Sequence, residues 1–344
     1  MSAIADVARL AGVSKATASR ALSGRGYVSP ATRTRVSEAA AEIGYVVSSN
    51  ASSLVTGRSM NVGVVMPFIN RWFFAELLEG IEEALIEADH DLTLYRLTAD
   101  PEQRRKVFEY FLVRKRVDAV IAVSVALTPA EVVRLRALDK PLVGIGGPVE
   151  GMSTLSIDDE AAARLATEHL LSLGHARVVH LGGDLHAQMA FFVHAKRLAG
   201  YRAAIDADPR GLEARFATAE FTIDGGFRSA IALLADPRTR PTAIFAASDE
   251  IAIGTILAAR QLGIAVPADL SVAGIDGHAL APLFGLTTVE QHPRTQGRTA
   301  VGMVFEGLAP EGAAERTVTV PVDFQARTST SPPTMPPACT SSSG

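Results

Sequence analysis

The chain has 344 residues, 48% of them apolar and 20% charged, with a formal net charge of −4. That length exceeds one ordinary core and implies two or three domains, and the composition excludes a largely disordered chain. A single cysteine, Cys339, excludes a disulfide framework or a thiolate metal site, and the most apolar stretch, 119–127, falls far short of the ~20 residues a membrane span needs.

In chain order, Ile4, Val7, Ala8 and Ala11 fall at i, i+3, i+4 and i+7, the apolar face of a short helix. Gly12 suits the left-handed residue that ends it, and Ser14 suits the N-cap of the next. In that second helix Ala18, Ala21 and Leu22 turn inward, while Lys15, Ala16, Ser19 and Arg20 share the outer face. An outer face that is small, polar and basic suits insertion into a DNA major groove. A third helix is expected after Ser29 and Pro30, with Val36, Ala39, Ala40 and Ile43 inward and Gly44 at its end. Residues 1–58 hold seven Lys/Arg against three Asp/Glu, a balance of +4, so the rest of the chain carries −8. A basic head on an acidic body places the attraction for phosphate at one end.

Residues 46–58 read as a linker with Asn50, Ala51, Leu54 and Val55 on one helical stripe. Its serines lower helix propensity, so it is expected to be disordered alone and helical on DNA. From 61 onward, short Val/Ile-rich strands (62–66, 92–97, 119–123, 141–145, 178–181, 243–246, 271–275) alternate with helices (73–88, 101–114, 129–138, 160–173, 197–205, 225–234, 250–262). This pattern predicts an α/β body of two doubly wound parallel-sheet lobes with a cleft between them. In such sheets ligands bind beyond the carboxyl ends of the strands. That rule selects 67–74, Ser124, Gly146-Gly147, Gly182-Gly183-Asp184, Ala247-Ser248-Asp249 and Asp276-Gly277. Aromatic faces with carboxylate and hydroxyl groups suit a sugar-like ligand. Residues 328–344, rich in Pro, Ser and Thr, are expected to be a disordered tail.

Several features read as plain structure. His169 and His175 pack or cap a helix end, because no Cys/His spacing supports zinc. Asp249 caps the helix that follows it, and Phe74 is a candidate core residue. Gly182-Gly183 is a loop without the Lys-Ser/Thr pair of a phosphate cradle. No catalytic constellation stands out, so an enzyme is not expected, and neither a cofactor nor a metal is called for. A sugar carrier without a DNA role remains the alternative; it would need an export signal, and none is read at the N-terminus.

The chain resembles the LacI/GalR family of bacterial transcription regulators. The resemblance covers 3–328 and rests on Asp6-Val7-Ala8, Ala11-Gly12-Val13-Ser14, Thr17-Ala18-Ser19-Arg20, Thr32-Arg33, Gly44-Tyr45, Ala51 and Leu54 before Thr56-Gly57, Glu168-His169-Leu170, Leu173-Gly174-His175, Arg197-Leu198-Ala199-Gly200-Tyr201, Pro241-Thr242-Ala243-Ile244-Phe245, Gly274-Ile275-Asp276 and Leu286-Thr287-Thr288-Val289 with Gln291.

The resemblance implies a helix-turn-helix head (1–45), a hinge (46–58) and an effector-binding and dimerisation body (59–327) like periplasmic sugar-binding proteins. Lobe 1 would span about 59–157 and 290–318, and lobe 2 about 158–289 and 319–327, with crossings near 156–159, 285–291 and 318–323. It implies base reading by Lys15, Ala16 and Arg20, backbone contacts from Thr17, Ser19, Tyr27, Ser29 and Thr32, and minor-groove insertion by Ala51 and Leu54. Phe73, Trp72, Arg197, Phe221, Ser248 and Asp276 would bind the effector. The partners implied are a palindromic double-stranded DNA operator, a second copy of the chain and a small sugar-like effector, with no membrane role. The expected activity is that of a cytoplasmic repressor. Departures from the family pattern concentrate in the hinge (Val47, Ser48, Ser52) and in the cleft, where Phe68, Arg71 and Trp72 replace a polar element and Ala195 stands where an arginine is frequent.

Overall fold

The structure, a computed structural model, describes residues 4–23, 26–45, 58–112, 114, 117–184 and 192–334. The hinge expectations at Ala51 and Leu54 lie outside these residues. The chain divides into two compact units: Met1–Asn61 with Lys115–Asp118, and the remainder.

The first unit is built on α1 (Ile4–Leu10), α2 (Lys15–Ser23) and α3 (Pro30–Glu42). Gly12 takes φ +64° after α1, letting the Val13 N–H donate back to the Ala8 carbonyl. Ser14 Oγ accepts from the Thr17 N–H at 3.1 Å and starts α2. Ser29 Oγ accepts from the Thr32 N–H at 3.3 Å, with Pro30 in the first turn of α3. Val7, Ala8, Ala18, Ala21, Val36, Ala39 and Ala40 form the core, and their small size lets the three short helices approach closely. Where the linker ends, the Asp118 carboxylate accepts from the N–H groups of Ser59 (2.9 Å) and Met60 (2.8 Å).

The second unit has two lobes. In chain order it contains β1 (Asn61–Met66), α4 (Trp72–Glu87), β2 (Asp91–Arg96), α5 (Pro101–Lys106), β3 (Ala119–Val123), α6 (Pro129–Arg136), β4 (Leu142–Ile145) and β5 (Ser153–Ser156). A wider π turn, Val107–Phe111, extends α5. Then come α7 (Asp159–Ser172), β6 (Val178–Gly182), α8 (Phe192–Asp206), β7 (Arg215–Thr218), α9 (Ile223–Leu234), β8 (Ala243–Ala246), α10 (Asp249–Gln261), β9 (Ser271–Asp276) and β10 (Thr287–Glu290). The described chain closes with α11 (Pro293–Leu308), β11 (Thr317–Thr319) and β12 (Asp323–Gln325).

Lobe 1 carries the sheet β11-β5-β4-β3-β1-β2, and lobe 2 carries β12-β10-β9-β8-β6-β7. The pairings of β1 with β3, β3 with β4, β4 with β5, β5 with β11, β6 with β7 and β8, β8 with β9 and β9 with β10 are parallel, whereas β10 pairs antiparallel with β12, so one edge departs from the all-parallel expectation. The lobe 1 core joins β1, β3 and β4 to α4 and α11. Lobe 2 buries α9 and α10 against one side of its sheet and α7 and α8 against the other. The chain passes between lobes after β5, after β10 and after β11. The second passage lies at 291–292, because β10 runs through Glu290 before α11 begins.

Two features depart from the sequence reading. The helix Pro293–Leu308 is new: its three glycines hide its periodicity. One of them, Gly297, faces α4 so closely that a Cβ there would meet the Leu77 carbonyl, and Gly80 on α4 meets the Arg294 backbone in the same way. Second, 328–334 is not a free tail. Ser329 is buried, its Oγ donating to the Val272 carbonyl and accepting from the Thr287 N–H. His169 Nε2 meets Thr330 Oγ1 at 2.9 Å, and His175 Nε2 meets the Ser331 carbonyl at 2.9 Å. The two histidines thus fix this segment onto lobe 2. Burial lowers the pKa of both, which keeps them neutral.

Candidate functional sites

In the head, Lys15, Ala16, Ser19 and Arg20 form one exposed face of α2. This follows from the helical period, since Ala18 and Ala21 take the buried positions between them. Arg20 Nε donates to the Ala16 carbonyl at 3.3 Å, and the guanidinium end stays on the surface. Tyr27 is 91% exposed, a value that needs explaining for so large a ring. Ser29 and Thr32 are half-buried, and Ser29 Oγ donates to Thr32 Oγ1 at 2.9 Å. Their hydroxyls therefore serve the start of α3. Thr17 is half-buried as well, its Oγ1 held 2.9 Å from Ser14 Oγ.

The second site is a cavity of about 440 Å³ between the lobes, within the size range of small-molecule sites. Its floor is made where strands end: Ser124 after β3, Gly146 after β4, Gly183 after β6, Ser248 after β8 and Asp276 closing β9. Phe68, Phe73, Phe74 and Phe221 supply apolar faces. Phe73 and Phe74 also pack on the lobe 1 core, so they are both wall and core. The ring of Phe221 lies 4.5 Å from that of His194, which burial holds at a pKa of about 4 and therefore neutral.

Arg197 is the buried cation of this wall, only 3% exposed. Its Nε donates to Asp159 Oδ1 at 2.9 Å, one Nη donates to the Ala247 carbonyl, and Asp276 Oδ1 lies 3.7 Å away. Asp159 was not singled out in the sequence. Asp158 caps α7 through the Ala161 N–H, which leaves the neighbouring carboxylate to turn inward. Two adjacent aspartates at a helix start were the available signal. Asp276 takes φ 144°, an unusual backbone for a residue with a side chain. It accepts from Gln291 Nε2 at 2.6 Å, and Gln296 Nε2 on α11 donates to the Gln291 carbonyl at 2.6 Å. Gln291 lies at the second passage between lobes and Gln296 at the start of the helix that follows, so the Asp276 carboxylate is tied to that passage. Burial is the main reason its pKa is raised; Arg197 opposes the rise and Asp249 adds to it.

Two sequence expectations change, those for Trp72 and Asp249. Trp72 does not line the cavity; its ring lies 4.6 Å from that of His278 of lobe 2, tilted by 30°. Beside it, Arg71 donates to the Phe221 carbonyl of lobe 2, and its guanidinium lies over the Phe68 ring at 4.4 Å. Arg71 and Trp72 thus bridge the lobes. Ser248 lines the cavity, but its Oγ is also the N-cap of α10, accepting from the Ile251 N–H at 3.3 Å. Asp249, expected as that cap, instead accepts from the His278 N–H (2.8 Å) and Thr288 Oγ1 (2.7 Å) and is fully buried. It braces the loops behind the site. Among the described residues, no group of three His, Cys, Asp or Glu side chains could hold a metal ion, and no helix is long and apolar enough to cross a membrane.

Residues 3–48 match the family described as bacterial regulatory proteins, lacI family, and residues 167–330 match the periplasmic binding protein-like domain. Catabolite control protein A of Priestia megaterium is 31% identical over 335 residues, covering 95% of this chain and 98% of the relative. The ribose operon repressor of Escherichia coli K12 is also 31% identical, over 90% of this chain and 93% of its own. Among solved structures, the transcriptional regulator CelR in complex with cellobiose superimposes with a TM-score of 0.69 at 27% identity, covering 96% of this chain and all of that one (100%).

Proposed function

Since the chain belongs to the LacI family of bacterial regulatory proteins and is accordingly a DNA-binding transcriptional regulator, we propose that it is a homodimeric repressor whose grip on a palindromic operator is set by a small sugar-like effector. The observation that carries this reading is the pairing, in one chain, of an exposed Lys15-Ala16-Arg20 face with an aromatic, carboxylate-bearing cavity. A ribose operon repressor among the relatives and a transcriptional regulator in complex with cellobiose among the neighbours support this reading, which involves no catalysis and puts the protein in the compartment that contains DNA.

On the DNA side, Arg20 would reach O6 and N7 of a guanine, and Lys15 and Ala16 would tune operator preference. Tyr27 and Ser19 would touch phosphates and position the head. Ser29, Thr17 and Thr32 support this role less directly, because their hydroxyls are engaged within the head. Leu54, with Ala51, would wedge into the minor groove at the operator centre and kink the duplex. Two heads on a dyad require two copies, hence a homodimer.

On the effector side, Arg197 and Asp276 would bind ligand hydroxyls while Phe73 and Phe221 cover ring faces. A ligand with different affinity for two lobe angles would shift the balance between them, and with it the pairing of the two hinges. The test is a titration of palindromic against random duplexes at several salt concentrations, with and without sugars. A repressor of this design prefers one palindrome, and its affinity falls steeply as salt rises. Equal affinity for all duplexes at every salt concentration would refute it. Leu54→Ala separates the two halves of the proposal: it should weaken operator binding and leave the melting shift caused by a sugar intact.

A further inference from the structure

Among the described residues, the cavity wall holds an excess of negative groups. Five carboxylates line it against two guanidiniums. Both guanidiniums already have partners. Arg197 serves Asp159 and the Ala247 carbonyl. Arg71 donates to the Phe221 carbonyl and lies on the Phe68 ring. His194 adds no charge near neutral pH, because burial lowers its pKa. Glu220 is paired with Arg228 at 3.2 Å, outside the wall.

Glu250 is left in a different position. It stands in the first turn of α10, half-buried, and it lines the cavity. Asp276 is also in the wall; burial raises its pKa first and, against the pull of Arg197, the charges of Asp249 and Glu250 raise it further. Burial is the main cause of the raised pKa of Glu250, and the nearby charge of Arg71 only partly offsets it. An anionic ligand entering here would meet Glu250 and Asp276, while both guanidiniums of the described wall already hold protein acceptors. A protonated amine would bring a counter-charge to Glu250, and an ionic hydrogen bond is stronger than a neutral one.

We propose that the ligand of this cavity carries a protonated amine that pairs with Glu250, which makes the effector an aminated ring compound rather than a phosphorylated or carboxylated one. This rests on the reading of the cavity as the effector site. The four phenylalanine faces would take the ring, and the amine would point toward α10. Glu250 thereby becomes the residue that sets charge selectivity, a role separate from the hydroxyl recognition assigned to Arg197 and Asp276.

Matched sugars test it on the full chain, by calorimetry and by thermal shift: D-glucosamine, D-glucose and D-glucose 6-phosphate, and the same three forms of galactose and mannose. The expected result is that an aminated member binds roughly 10–100-fold tighter than its neutral parent, and that the phosphorylated member does not bind. In Glu250→Gln the ratio of aminated to neutral sugar should fall to near unity. The wild-type comparison decides the matter even if that variant fails to fold. A neutral or phosphorylated sugar that binds as tightly as its aminated partner overturns the amine while leaving the effector site standing. Silence from every member of all three series overturns the amine together with the sugar-effector reading.

Discussion

Replacing Arg197 with methionine removes the cation from a buried cage while keeping most of the side-chain volume. The arginine is 3% exposed, and Asp159 and Asp276 are 2% and 5% exposed, so the carboxylates left behind cannot be rescued by bulk water. Breaking a buried pair by deleting one partner costs about 3–5 kcal/mol, because the surviving charge is uncompensated. The cost also depends on pH. Asp276 already has a raised pKa, chiefly from burial, and Arg197 is what opposes the rise. Without Arg197 the folded-state value moves further up. A carboxyl raised in this way contributes its stability below its unfolded value and loses it as pH rises through the folded value. The gap between wild type and Arg197→Met should therefore be small near pH 5 and largest above neutrality.

Urea unfolding provides the assay, read by Trp72, the chain's only tryptophan, whose ring lies against His278. The decisive measurement is the cycle with Asp159→Asn. Removing both partners leaves one fewer unpaired charge, so the double variant should be more stable than the sum of the singles implies, by roughly 1 kcal/mol or more. Single costs below about 1 kcal/mol, or costs that simply add, would refute the idea that this pair balances a buried charge. The same variant should lose the melting shift caused by any sugar that stabilises the wild type.

Arg20→Ala should reduce preference for the true operator by about 1–3 kcal/mol while leaving affinity for random DNA changed far less, as read by competitive gel shift. Gly80→Ala places a methyl against the Arg294 backbone and forces α4 and α11 apart, so a loss of about 1–3 kcal/mol is expected in thermal denaturation; an unchanged melting temperature would remove this crossing from the account. His180 has a folded-state pKa of about 3, mainly from burial, against an ordinary value of 6.5. Its contribution is intact above pH 6.5 and is lost as pH falls toward 3, reaching about 2 kcal/mol at pH 5. His180→Phe should flatten the acid side of the stability curve by that amount, and an unchanged slope would contradict the burial argument.

Much of the architecture is local in origin and could be read directly. The head has apolar residues at helical spacing, with Gly12, Ser14, Ser29 and Gly44 at its turns and caps, so each helix announces itself within a dozen residues. The Val/Ile-rich strands of the body do the same, and the rule that ligands gather beyond strand ends picks out Ser124, Ser248 and Asp276, which the fold brings to the wall of one cavity. Helix α11 escaped because its three glycines are poor helix formers alone, and one of them, Gly297, is there for the close approach to Gly80 more than two hundred residues earlier.

The cleft shows the same division. Residue types there signalled carboxylate and aromatic chemistry, yet the division of labour among them depends on partners distant in the chain. Arg197 meets Asp159, Trp72 meets His278, and Asp249 meets Thr288. The linear order carries periodicity, caps and composition, because those arise between neighbours along the backbone. Which of two adjacent acids caps a helix and which turns inward, and whether an aromatic ring lines a cavity or bridges two lobes, is settled by packing across the fold, where burial and long-range pairing outweigh local preference.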